Sequence, residues 1–155
     1  MTVVATVAVA VTVVAVIGGL ALWWFRRTFL ITTVSGRSMQ PTYHDGDRLL
    51  VRRTTAAAVK RGDAVVLTSD QPPRRESSVE GESDVTWREP GKLIIKRAVA
   101  LPGDPVPAGI PVPDRTVPAG RLVILGDNAD ASYDSRAAGF YAVDNLVGVV
   151  LRSMS

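Results

Sequence analysis

The chain contains no cysteine and a single histidine among its 155 residues. No disulfide framework, thiolate nucleophile or cysteine-based zinc site can be built from it. A Ser-His-Asp triad would have to recruit His44, which sits in the turn Tyr43-His44-Asp45-Gly46-Asp47 and is expected to be exposed there. There is no Gly-x-Ser-x-Gly elbow, no Walker or dinucleotide glycine motif, and no carboxylate cluster at metal-ligand spacing. Neither a metal nor an organic cofactor is therefore expected. The basic residues are scattered or paired, with no long run and no interleaved aromatics, which argues against nucleic acid. A net charge of +3 beside an apolar segment fits anionic lipid better.

That apolar segment is the first feature present. Residues 3–25 (VVATVAVAVTVVAVIGGLALWWF) carry no charge. As a helix at about 1.5 Å per residue they span roughly 34 Å, enough for a hydrocarbon core of about 30 Å. Trp23 and Trp24 stand where interfacial aromatics belong, and Arg26 and Arg27 follow at headgroup level. The apolar run is longer than the core of a cleaved leader, and no small-residue cleavage site follows it. Residues 1–27 are expected to form an uncleaved transmembrane anchor, and 28–155 a separate β-rich domain. The arginines after the helix, taken alone, would place that domain in the cytoplasm.

Beyond the anchor, short β-type runs alternate with turn chemistry. Residues 29–34 (FLITTV), 48–53 (RLLVRR), 64–68 (AVVLT), 92–101 (KLIIKRAVAL), 121–125 (RLVIL) and 147–152 (VGVVLR) read as strands. Asp-Gly-Asp, Arg-Gly-Asp, Pro-Gly-Asp and Gly-Asp-Asn punctuate them. Only 54–59 (TTAAAV) suggests a helical turn. The expected fold class is mainly β, a small coiled-sheet or barrel-like domain preceded by one N-terminal transmembrane helix. Residues 69–91 are polar and read as a mobile loop or extended hairpin. Residues 102–120 hold six prolines and read as an irregular connection.

One serine lies in unusual surroundings, Ser35-Gly36-Arg37-Ser38-Met39-Gln40-Pro41-Thr42, just after an expected strand. Gly36 permits a tight turn and Pro41 stops the strand from continuing. Ser38 could thus present its hydroxyl, with its own N–H aimed at a developing oxyanion. An ordinary turn serine is the alternative. Without histidine, a neutral lysine is the obvious base. Lys96 lies inside Leu93-Ile94-Ile95-Lys96-Arg97-Ala98-Val99, where burial would favour the neutral amine. A solvated edge-strand lysine is the competing reading.

Four boxes in order resemble those of type I signal peptidases, the Ser/Lys endopeptidases that remove signal peptides. Residues 35–42 resemble the nucleophile box. DGDRLLV at 45–51 with RGDAVVL at 61–67 resembles the strand box. KRAVALPGD at 96–104 resembles the lysine box, and GDNADASYDSR at 126–136 the last box. The resemblance implies a signal-peptidase-type catalytic domain, with Ser38 as acylating nucleophile, Lys96 as general base, and Ser132 orienting the lysine. It further implies an Asp134–Arg136 ion pair, an Asp127–Arg97 pair, and Met39 packed beneath the nucleophile loop. Its substrates would be preproteins with Ala-x-Ala cleavage sites, met on the extracytoplasmic face of the membrane, against the charge rule above. Gly36 replaces a serine that in some members adds an oxyanion-hole hydroxyl. Ala129 and Ala131 replace larger polar residues. Only 21 residues separate Asp104 from Gly126, so the second, capping β domain of larger members should be nearly absent. A dedicated maturation protease, or an inactive membrane-tethered β scaffold, are the alternative readings.

Overall fold

A computed structural model describes residues 2–69 and 92–154. The expected loop at 69–91 lies outside the described residues except for Ser69. Helix α1 runs over Thr2–Thr28, a stretch without proline and uncharged up to Arg26 and Arg27 in its last turn. Its window Val11–Thr28 is long and apolar enough to cross a membrane, and none of it is buried inside the protein. Between its two end turns its backbone polar groups bond within the helix, which is what a hydrocarbon environment requires.

The remainder is a seven-stranded antiparallel half-barrel. In chain order the strands are β1 (Phe29–Thr33), β2 (Arg48–Arg53), β3 (Ala64–Thr68), β4 (Leu93–Ala100), β5 (Arg121–Leu125), β6 (Tyr141–Ala142) and β7 (Leu146–Ser153). Their order across the sheet is β1-β2-β7-β3-β4-β5-β6. Six of the seven were legible as apolar runs, and the helical turn expected at 54–59 is a 3-10 turn over Ala56–Ala58. The short β6 and the four-residue helix α2 (Ser135–Ala138) were not foreseen.

Strand alternation distributes the apolar side chains over two faces. Val65, Leu67, Ala98, Leu122, Ile124, Tyr141 and Val149 form one core cluster. On the opposite side, Leu49, Val51, Val66 and Ile95 pack with Val34 and Met39 from the segment after β1. The proline-rich connection contributes a third, smaller cluster, in which Ile110 and Val117 cover Ala100 and Val123. It carries only an isolated bridge between Pro105 and Thr116, and no second β domain stands there. Strand β4 lies between β3 and β5. Lys96 is therefore an interior-strand residue, and the edge-strand reading of it does not hold.

Candidate active site

The loop after β1 is tied down from several directions. The Val34 N–H donates to Asp47 O at 2.8 Å, and the Gly46 N–H donates back to Val34 O at 3.0 Å. Gly36 has φ +90°, a conformation that favours glycine, and its N–H donates to Asp45 Oδ1 at 2.7 Å. Next to Ser38, Met39 is 1% exposed and plugs the second core cluster. The Asn128 N–H donates to Ser38 O at 3.0 Å, joining this loop to the last box. Among the described residues the Ser38 N–H has no partner, which leaves it available as a donor.

Ser38 and Lys96 are 58 positions apart in sequence and meet in space. Lys96 Nζ lies 2.6 Å from Ser38 Oγ. Lys96 is 2% exposed, opposite Val65 on the neighbouring strand. Stripping water from an ammonium penalises its charged form, so this setting works toward a neutral amine.

Two ion pairs flank these atoms. Arg97, the next residue along β4, gives Nε and Nη2 to Asp127 at 2.8 and 2.6 Å, a fork-on-carboxylate pair. Its Nη1 donates to Gly62 O at 2.7 Å. Thr42 adds its hydroxyl to the same carboxylate at 2.6 Å. The hydrogen bonds from Arg97 chiefly hold the Asp127 carboxyl below its ordinary range. Desolvation opposes them, while Thr42 and the charges of Arg97 and Lys96 add to them. One carboxylate therefore ties the nucleophile box, the lysine box and the last box together.

The second pair is buried more deeply. Asp134 is fully buried and caps α2 by accepting from the Arg136 N–H. Arg136 Nη2 donates to Asp134 Oδ2 at 2.6 Å and to Gly126 O at 3.1 Å. Burial pushes the Asp134 carboxyl up. Hydrogen bonds from the Arg136 guanidinium, the Ser132 hydroxyl, the Gly126 N–H and the Arg136 N–H outweigh it and bring the pKa down to about 2. Ser132 thus spends its proton on Asp134, at 2.6 Å. Its oxygen is left as an acceptor.

Gly126 and Thr42 carry more than the sequence reading gave them. A Cβ built on Gly126 would strike both the Ser132 side chain and the Ser38 carbonyl oxygen. Gly126 is not among the positive-φ glycines, so space and not backbone conformation requires it. A glycine opening the last box was the available signal for this close approach. Thr42 stood in the nucleophile box, but its bond to Asp127 spans 85 positions and nothing local announces it. Of the residues singled out from sequence, Ser38, Lys96, Ser132, Gly36, Met39, Asp127, Asp134, Arg136 and Arg97 all lie in or around this cluster. His44 lies outside it as an exposed turn residue, its N–H donating to Asp47 Oδ2 at 2.8 Å.

A buried amine touching a hydroxyl on a braced loop, with a free N–H beside it, is an arrangement suited to acyl transfer. The profile of the family described as signal peptidase, peptidase S26, matches residues 3–109 and 110–154. The signal peptidase I T of Bacillus subtilis (strain 168) is 33% identical over 138 residues, covering 74% of this chain and 68% of the relative. The signal peptidase I of Bacillus amyloliquefaciens is 31% identical over 160 residues, covering 86% and 79%. That of Bacillus licheniformis is 32% identical over 146 residues, covering 79% and 75%. With the family profile spanning nearly the whole chain and four boxes folded around one serine and one lysine, the chain belongs to the signal peptidase family, peptidase S26.

Proposed function

We propose that this chain is a membrane-anchored serine endopeptidase that removes signal peptides from exported preproteins with Ser38 and Lys96 as its catalytic dyad. The observation that carries the reading is the 2.6 Å approach of a 2%-exposed lysine amine to the Ser38 hydroxyl. Residues 1–27 serve as the anchor and 28–155 as the peptidase domain. The catalytic domain stands on the extracytoplasmic face, where exported substrates emerge.

Neutral Lys96 takes the Ser38 proton as Oγ bonds to the scissile carbonyl carbon. The carbonyl oxygen becomes an oxyanion and accepts from the Ser38 N–H. Collapse breaks the C–N bond, and the new amine leaves with the proton from Lys96. The lysine, neutral again, deprotonates a water that attacks the acyl ester, and the proton returns to Ser38 Oγ. The Ser132 oxygen orients the amine without adding a charge that would hold it protonated. Asp134 with Arg136, and Asp127 with Arg97, hold the loops that carry these groups. Substrate enters as an extended strand, with small side chains of an Ala-x-Ala sequence in shallow pockets.

The test is cleavage of an Ala-x-Ala preprotein by the detergent-solubilised protein. Wild type cleaves at the predicted bond, and Ser38→Ala and Lys96→Ala do not. Absence of cleavage by wild type on generic preproteins, with cleavage of one co-expressed partner, would narrow the function to a dedicated maturation protease.

A further inference from the structure

The nucleophile, lysine and last boxes carry four cations, Arg37, Lys96, Arg97 and Arg136. Three of them are engaged. Arg97 pairs with Asp127, Arg136 pairs with Asp134, and the Lys96 amine meets the Ser38 hydroxyl. Arg37 is exposed and has no ion-pair partner among the described residues. Asp45, the carboxylate tied to the same loop, accepts the Gly36 N–H and forms no ion pair with Arg37.

The backbone of Arg37 is fixed on both sides. Gly36 before it adopts φ +90°, with its N–H held by Asp45. The Arg37 carbonyl accepts from the Gln40 N–H at 3.2 Å, and the Ser38 carbonyl accepts from the Asn128 N–H at 3.0 Å. The peptide unit between Arg37 and Ser38 thus turns its carbonyl into the loop and leaves its N–H for an oxyanion. The same unit holds the Arg37 Cα about 3.8 Å from that of Ser38. A long cationic side chain therefore starts one residue from the proposed nucleophile and ends in solvent. An extended substrate advances about 3.3 Å per residue, so the two residues on either side of the scissile bond lie within roughly 7 Å of it. That range falls inside the sweep of the arginine.

We propose that Arg37 is a specificity residue that reads a carboxylate within the first two residues after the scissile bond of the preprotein. The proposal deepens the peptidase reading of the site and rests on it. The chemistry of the substrate selects that side of the bond. Ahead of the bond a signal peptide presents small residues, then an apolar core, with its positive charges at the far end. None of these suits a guanidinium. The segment after the bond belongs to the mature protein, and there an Asp or Glu side chain can stand. An arginine fork takes a carboxylate through two parallel N–H···O bonds. None of the described carboxylates holds Arg37, so none has to be displaced. In so exposed a setting the pair is worth about fivefold at most in kcat/KM, and salt weakens it.

The experiment measures kcat/KM of the full-length protein in neutral detergent, at low and high salt. The peptides share one Ala-x-Ala site and carry Asp, Asn or Lys at the first or second position after it. The proposal expects the Asp peptide to exceed the Asn peptide by about threefold to fivefold, and the Lys peptide to fall below both. High salt should shrink these differences. Arg37→Gln should erase the preference, and Arg37→Glu should invert it in favour of Lys. Arg115 is exposed on the proline-rich connection, and Arg115→Gln, which removes the same charge, should keep the wild-type order. A wild type without preference, or a preference that survives Arg37→Gln, overturns the proposal. Equal slowing of all three peptides in Arg37→Gln would assign the side chain to the oxyanion and overturn it too. So would a wild type without preference in detergent whose Arg37→Gln variant slows only on phosphatidylglycerol vesicles, which would assign the side chain to lipid headgroups. If wild type cleaves none of the peptides, the peptidase reading and this proposal fall together.

Discussion

Adding one methyl group at Gly126 should cost catalysis more than it costs the fold. An alanine Cβ there would stand 2.6 Å from the Ser38 carbonyl oxygen and would also overlap the Ser132 side chain. Neither neighbour can give way freely. The Ser38 carbonyl accepts from the Asn128 N–H, and the Ser132 hydroxyl is held by Asp134. Gly126 is itself pinned, its N–H donating to Asp134 Oδ2 at 2.8 Å. To reach an ordinary contact of 3.4 Å the Ser38 carbonyl must recede by roughly 0.8 Å. Overpacking of this kind costs about 1–3 kcal/mol of stability. A displacement approaching 1 Å at the proposed nucleophile costs about a hundredfold in rate. Gly126→Ala should therefore fold, melt modestly lower, and lose about a hundredfold in kcat/KM on a preprotein peptide. Thermal melting and initial rates on one preparation measure both. Wild-type kcat/KM in Gly126→Ala would refute this account of the close approach. A collapse of the melting transition would reassign the glycine to the fold alone.

Other consequences follow from the same contacts. Asp134 has its carboxyl lowered from 3.8 to about 2 in the folded state. Its contribution, about 2 kcal/mol, is complete above about pH 4 and is lost as the pH falls toward 2; Asp134→Asn should show a shallower acid limb in pH-dependent melting. The same variant should be destabilised by about 2–4 kcal/mol in denaturant titration, because Arg136 and the Gly126 N–H lose their charged acceptor. The acid limb of kcat/KM against pH should follow one proton, activity rising as Lys96 becomes neutral; Lys96→Arg, always charged, should be inactive at every pH. Arg97→Gln and Asp127→Asn should each lower kcat about tenfold, and the double variant should lose far less than the product, as a double-mutant cycle would show.

The long-range organisation was legible where local chemistry is strong. Apolar runs such as AVVLT, after Arg-Gly-Asp, and RLVIL, before Gly-Asp-Asn, announce β3 and β5 almost to the residue. The uncharged run at 3–25 announces α1, which extends to Thr28 because the two arginines and Thr28 continue the helix. Strand β6, with two residues, and α2, with four, are too short to show a period, and tertiary bonds make them. Arg121 and Leu122 supply the ladder for β6, and the buried Ser135 hydroxyl accepts from the Ile124 N–H to seat α2. At the site, residue types and box order picked out Ser38 and Lys96. Burial of Lys96 could be expected from its apolar neighbours, but the interior position of β4 depends on strand order, which no local pattern encodes. Thr42 escaped for the same reason, since its partner is set by the fold and not by spacing.

Covalent capture at Ser38 tests the proposed dyad most directly. The full-length protein is treated with a serine-directed acylating reagent at a pH that leaves Lys96 neutral, and intact mass and peptide mapping locate the adduct. The account predicts one acyl group per chain on Ser38 in wild type, none in Ser38→Ala, and none at a comparable rate in Lys96→Ala. Acylation of Lys96→Ala as fast as wild type, or an adduct on another residue, would contradict it.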